Sequence, residues 1–119
     1  MFLPELLKDK VILITGGGTG LGRAMGERFL DLGAKLVIAS RREELLRQAA
    51  AEMTAAHGGE VLPLACDVRD ADAVERMVEA AWQHYGGIDA LLNNAAGNIA
   101  SPTERLSPRA VDAVLDIVL

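Results

Sequence analysis

Cysteine is nearly absent. Cys66 is the only one in 119 residues, so no internal disulfide can form and nothing points to an oxidising compartment. Aromatic residues are almost as scarce, with Phe2, Phe29, Trp82 and Tyr85 making up the whole set. That scarcity, beside abundant alanine, leucine and valine, suits helices layered closely on a parallel sheet. Positive charge is not in excess: the formal net charge is −5. Nucleic acid and anionic membrane surfaces are therefore poor candidates as partners, since both want a basic face. No apolar run approaches the ~20 residues of a membrane span. The opening Met1-Phe2-Leu3-Pro4-Glu5-Leu6-Leu7-Lys8 has no charged leader with a long apolar core, and no Arg- and Ser-rich transit bias. A cytoplasmic protein is the expectation.

What is present is apolar in short, regularly spaced blocks. Half of the residues are apolar, enough for the core of one small domain. Val11-Ile12-Leu13-Ile14 is unbroken by any polar residue, as a strand buried on both faces requires. Leu21, Ala24, Met25, Phe29 and Leu32 then recur at helical spacing, and Gly33 closes that helix. Leu36 to Ala39 reads as a second strand, and Glu43 to His57 as a second helix with Leu45, Leu46, Ala49 and Met53 on one stripe. Val61 to Cys66 is a third strand. Pro63 within it cannot donate to a ladder, so this strand belongs at a sheet edge. Asp70 caps a third helix that runs to Tyr85, with Val74, Met77, Val78, Ala81 and Trp82 inward. Ile88 to Leu92 is the fourth strand, and Ser107-Pro108 opens a further helix. The alternation predicts an α/β fold, a doubly wound parallel sheet between two helical layers, with strand order 3-2-1-4. Residues 1–119 form one domain, an incomplete one that ends after the fourth strand and its following helix. The apolar ending Asp116-Ile117-Val118-Leu119 leaves the sheet short of partners on that side, so a piece of a longer protein is expected.

The glycine cluster carries the strongest chemical signal. Thr15-Gly16-Gly17-Gly18-Thr19-Gly20-Leu21-Gly22 joins a buried strand to an amphipathic helix, the setting that a dinucleotide-binding turn needs. Gly16 permits the tight turn, and Gly20 and Gly22 let backbone and helix approach a pyrophosphate. Gly18, Thr19 and Leu21 lie in the same cradle. The helix N-terminus offers free N–H groups and a positive dipole end to the phosphate charge. The spacing is G-x-x-x-G-x-G.

The end of the second strand speaks to the cofactor type. An NAD site usually carries an acid there, to bond the ribose 2′-hydroxyl. Here the residues are Ser40-Arg41-Arg42, with no acid before Glu43. Arg41 can pair with a 2′-phosphate through its planar fork and Ser40 can donate a hydroxyl bond, which points to NADP(H). The other reading is a solvated arginine pair opening a helix. Asp67 and Val68 follow the third strand, where an adenine would lie. The carboxylate can accept from the amino group and the valine can cover the ring, or Asp67 is a polar residue leading the next helix. Asn93-Asn94-Ala95 leaves the fourth strand at the crevice where such sheets bind ligands, and its asparagines should satisfy backbone groups there. Cys66 reads as a small core residue, and His57 and His84 as helix-end residues.

Together these residues resemble the short-chain dehydrogenase/reductase family over essentially the whole chain. The anchors are Thr15-Gly16-x-x-x-Gly20-x-Gly22, Asp67-Val68 and Asn93-Asn94-Ala95. The resemblance implies a Rossmann-like three-layer domain that binds NADP(H). Asn93-Asn94-Ala95-Ala96-Gly97-Asn98, with Ser101 to Pro108 and Ile38-Ala39-Ser40-Arg41, looks like the 2,4-dienoyl-CoA reductase branch. That likeness implies NADPH-dependent reduction of a 2,4-dienoyl-CoA to a 3-enoyl-CoA in unsaturated fatty acid breakdown, by a homo-oligomer, typically a tetramer. It places Arg69, Ile99 and Ser107 on the acyl-CoA side. Ile99 stands where the branch usually has phenylalanine, so the acyl contact differs there.

The family's catalytic Tyr-x-x-x-Lys pair has no counterpart. Tyr85 is the only tyrosine, Asp89 stands four residues after it, and Lys8, Lys10 and Lys35 all lie upstream. No catalytic residue or metal site is assigned, and the chain reads as the N-terminal, cofactor-holding half of the enzyme. Two other readings stand beside this one: a 3-oxoacyl-thioester or other carbonyl reductase of the same family, and a non-catalytic nucleotide-binding module.

Overall fold

A computed structural model of the chain describes residues 5–94 and 117–118. Strands β1 (Val11–Thr15), β2 (Lys35–Ser40), β3 (Val61–Ala65) and β4 (Ala90–Asn93) alternate with helices α1 (Gly20–Asp31), α2 (Glu43–His57) and α3 (Ala71–Tyr85). The four strands are parallel and lie in the order β3-β2-β1-β4. This is the expected Rossmann-like arrangement, and β3 carries Pro63 at an edge, opposite Ile38. The expected helix from Ser107 lies outside the described residues. One pairing was not anticipated: Ile117–Val118 forms β5, antiparallel to β4 through Leu91↔Val118 and Leu92↔Ile117. It meets the row of N–H and C=O groups that an edge strand otherwise leaves unpaired.

The sheet separates two cores. Alternate side chains of one strand point to opposite faces, so Ile12 and Ile14 pack with Leu36, Ile38, Leu46 and Met53 beneath α1 and α2. Val11 and Leu13 pack with Val37, Cys66, Met77 and Ala81 beneath α3. Each fully buried aliphatic side chain contributes about 1.5–3 kcal/mol. Ile14, Leu36, Ile38, Leu46 and Met53 are all at 0% exposure, so among the described residues most of the largest fully buried side chains lie on the α1–α2 face.

Three local expectations are corrected. In α1 the buried line is Gly22, Gly26 and Leu30, while Leu21 is 59% exposed. The helix lies so close to the sheet that a Cβ on Gly26 would come within 3.1 Å of both Leu36 and Met53. Glycine has no side chain to register in a hydrophobic pattern, so the apolar stripe marks only the flank of the buried face, where Met25 and Phe29 pack partly buried against the core. In α3, Trp82 is 54% exposed. Met77, Ala81 and the half-buried Tyr85 follow each other at i+4 on the inner line, and Trp82 falls roughly 90° off that face. The fourth strand begins at Ala90 rather than Ile88. Asp89 is used instead as a clasp: its Oδ2 accepts from the Val11 N–H at 2.8 Å and its own N–H donates to the Val11 carbonyl at 2.8 Å.

His57 does more than end α2. Its Nδ1 lies 2.8 Å from Asp31 Oδ1 and its Nε2 3.2 Å from Glu27 Oε2, both on α1. Two carboxylates can both be satisfied only if both ring nitrogens donate, which is the imidazolium form. The Asp31 bond, ahead of the one to Glu27, raises the His57 pKa above its ordinary value. A raised folded-state value means that this staple stabilises fully below the unfolded value of about 6.5 and is lost as pH rises through the folded one. Thermal denaturation from about pH 6 upward should show a falling Tm that His57→Gln flattens. Parallel slopes in the two proteins would remove the staple from the account.

Candidate cofactor-binding site

The site is assembled at the carboxyl ends of the parallel strands. Register places Thr15 beside Ala39 and Asn93, and Ser40 beside Ala65. The strand ends therefore form one rim, from which the glycine loop, Ser40-Arg41, Asp67-Val68 and Asn93-Asn94 all project. In open α/β sheets, ligands bind outside this edge, at the point where the strand order reverses. Here that point lies between β1 and β4.

The loop turns immediately after Thr15. Gly16 has φ +70° and donates its N–H to the Ala39 carbonyl at 2.7 Å. A side chain at that φ would be strained. The chain then passes tightly over β2, where a Cβ on Gly17 would sit 2.6 Å from Ile38 Cγ2. Gly18 lies over Leu46 of α2, with 3.2 Å for the same hypothetical atom. Gly20 opens α1 at φ +56° with no described residue packed where its Cβ would be. Gly22 is the closest point, facing both the Gly16 carbonyl and the Asn94 amide. The strand-exit asparagines fasten this arrangement from β4. Thr15 Oγ1 donates to Asn93 Oδ1 at 2.9 Å, and Asn94 Nδ2 donates to the Gly16 carbonyl at 3.4 Å.

The two ends of the site differ in how the helices begin. α3 is capped in the ordinary way, with Asp70 Oδ1 accepting from the N–H groups of Asp72 and Ala73. α1 is not. Its N-cap Thr19 makes no side-chain bond to the first turn, and that turn contains no acid. The nearby cation Arg23 is turned onto α2, 2.8 Å from Glu52. Among the described residues no side chain caps the leading N–H groups of α1, and the positive dipole end there favours an anionic acceptor. Leu21 stands exposed beside them.

At the β2–β3 end, the Cys66 N–H donates to the Ser40 carbonyl at 2.7 Å, so the two exits run side by side. Ser40 Oγ accepts from the Arg42 N–H at 3.2 Å, which leaves its hydroxyl hydrogen free to donate. Arg41 is exposed at this rim. Asp67 is held by Arg69, whose side chain bonds it at 3.1 and 3.0 Å and whose N–H bonds it at 2.9 Å. These bonds, with the charge of Arg41 as a smaller contribution, lower the Asp67 pKa to about 2. Val68 beside it is 38% exposed. The Asp67–Arg69 clasp was missed at the level of sequence. The spacing Asp-x-Arg ahead of a helix is the available signal, because an Asp side chain readily accepts from the N–H two residues on.

Ala95, Ile99 and Ser107 lie outside the described residues. Cys66 is buried, and its thiol pKa is raised by that burial, as suits a core residue. Tyr85 donates to the Leu36 carbonyl at 3.3 Å near the start of β2, at the opposite end of the sheet. Burial raises its phenol to about 12. His84 stacks edge-on against Tyr85. Among the described residues, no three His, Cys, Asp or Glu side chains gather to hold a metal, and no helix is long and apolar enough to cross a membrane.

A glycine turn seated on a parallel sheet, an uncapped helix behind it and an arginine at the second strand end define a nucleotide-binding α/β domain. Residues 10–119 match the family model for short chain dehydrogenase. The chain belongs to the short-chain dehydrogenase/reductase family, and so to a family of oxidoreductases. A peroxisomal 2,4-dienoyl-CoA reductase of Rattus norvegicus is 44% identical over 117 residues, covering 98% of this chain and 40% of the rat protein. Among solved structures, the L-sorbose reductase of Gluconobacter frateurii, complexed with NADPH and L-sorbose, superposes with a TM-score of 0.77 at 28% identity. That match covers 94% of this chain and 47% of the reductase. The 3-ketoacyl-(acyl-carrier-protein) reductase of Brucella melitensis, complexed with NADH, gives 0.69 at 36% identity, covering 91% and 43%. The chain thus spans less than half the length of each of these proteins.

Proposed function

We propose that the chain is the cofactor-holding part of an NADPH-dependent reductase that converts a 2,4-dienoyl-CoA to a 3-enoyl-CoA. The observation that carries the cofactor reading is the α1 N-terminus, left uncapped and free of acid behind the glycine turn. The pyrophosphate would be held by Gly16, Gly18, Thr19, Gly20, Leu21 and Gly22. Arg41 and the free hydroxyl hydrogen of Ser40 would take the 2′-phosphate. Asp67 and Val68 would hold the adenine, and Asn93, Asn94 and Ala95 the ribose side of the crevice. When bound, the nicotinamide supplies a hydride to the conjugated thioester. The residues of this chain bind and orient it, and no proton-transferring group is assigned among them.

The substrate class rests on the 44% identity to the rat reductase across nearly the whole chain, with Arg69, Ile99 and Ser107 assigned to the acyl-CoA side. A 3-oxoacyl thioester is the second reading, because the Brucella reductase of that class is 36% identical. Cytoplasmic placement and a homotetramer belong to the same proposal. The full-length protein should oxidise NADPH with a 2,4-dienoyl-CoA and yield an isolated 3-enoyl product. Oxidation only with a 3-oxoacyl thioester would transfer the assignment to the second reading.

A further inference from the structure

We propose that Arg69 is a positioning residue for Asp67, fixing its carboxylate as the acceptor for the amino group of an adenine; this rests on the cofactor reading above. The side chains of Asp67 and Arg69 are 35% and 73% exposed. An ion pair so open to water contributes little to folding, yet this one is unusually complete. Asp67 Oδ1 accepts from both the backbone N–H and Nε of Arg69, at 2.9 and 3.1 Å, and Oδ2 accepts from Nη2 at 3.0 Å. Main chain and planar fork together hold the carboxylate plane, as a point-charge lysine would not. Oδ1 is saturated by its two donors, while Oδ2 has one acceptor position left.

The surroundings give that position a use. Asp67 stands at the exit of β3, beside the Ser40-Arg41 exit of β2, to which Cys66 is bonded at 2.7 Å. Val68, the neighbouring apolar surface, is 38% exposed. An isolated carboxylate at this place would repel a phosphate-rich ligand. Arg69 offsets that charge while leaving Oδ2 able to accept. The N–H groups of Arg69 that do not face Asp67 stay on the outer edge of the fork, so this role is compatible with the acyl-CoA contact assigned to Arg69.

The test compares NADPH with its deamino analogue, in which a carbonyl replaces the adenine amino group. Opposite that carbonyl the carboxylate meets an acceptor instead of a donor. Fluorescence titration of the full-length protein should favour NADPH by roughly tenfold or more, as expected for a hydrogen bond to a charged acceptor. Asp67→Ala should bring the ratio near unity. Arg69→Ala should bring it most of the way there, and Arg69→Lys should recover only part of the discrimination. If Asp67→Ala leaves the ratio unchanged, the adenine reading fails, and this proposal with it. If Asp67→Ala abolishes the ratio but Arg69→Ala retains the wild-type value, the adenine reading stands and the positioning role is overturned.

Discussion

Gly22→Ala is expected to destabilise the domain by about 1–3 kcal/mol, the range for overpacking a close contact, and to weaken dinucleotide binding at least tenfold. A Cβ here would lie against the Gly16 carbonyl oxygen and 2.7 Å from Asn94 Nδ2. The first of these is backbone and cannot rotate away. Either the loop lifts off α1, which breaks the 3.4 Å bond from Asn94 to Gly16, or α1 moves back from the sheet. Both also displace the leading N–H groups of α1. Losing one charge-assisted bond to a phosphate is worth about 1.5–3 kcal/mol, or roughly 10- to 150-fold in affinity. Gly87→Ala is the control, because no described residue lies within 4 Å of its Cβ position and its φ is not in the left-handed region. It should be neutral or stabilising by up to about 1 kcal/mol through the unfolded chain. Denaturant melts and a cofactor titration of both variants check the pair, and equal behaviour would show that Gly22 is not the point of closest approach.

Arg41→Ala should lower NADPH affinity by about 10- to 100-fold and leave NADH affinity within about twofold. The fork of a guanidinium on a phosphate is among the stronger polar contacts, at about 1.5–3 kcal/mol. Arg41 is exposed, so salt screening should reduce the effect toward the lower end. The effect belongs to the 2′-phosphate alone, which NADH lacks, so the difference between the two cofactors isolates it from any general damage to the site. Arg42→Ala should do much less. Arg42 binds Ser40 Oγ through its backbone N–H, a contact that the substitution keeps.

Much of this site was legible in the sequence because its parts are local. Val11 to Ile14 must be buried on both faces to tolerate four apolar residues in a row, and it is. Pro63 forbids a central strand, which places β3 at the edge. The glycines of the turn sit between a strand and a helix that their neighbours independently predict. The misreadings have a common origin in distance along the chain. α1 turns glycines inward because a sheet contact decides its face, and no pattern within one helix carries that information. Trp82 is apolar, but three better-placed residues already fill the inner line of α3. His57 meets Glu27 and Asp31 from roughly one helix-strand unit away, and Asp89 meets Val11 from the far end of the fold. The Asp67–Arg69 clasp was the exception. It is local, and its only trace in the sequence is the short Asp-x-Arg spacing.

The central claim is that this site holds the dinucleotide through its 2′-phosphate. Titrating the full-length protein and its Arg41→Ala variant with NADPH and NADH, at fixed ionic strength, tests it most directly. The expected result is a wild-type preference for NADPH of about tenfold or more, largely lost in the variant through weaker NADPH binding. Equal wild-type affinities, or a preference that survives Arg41→Ala, would contradict it.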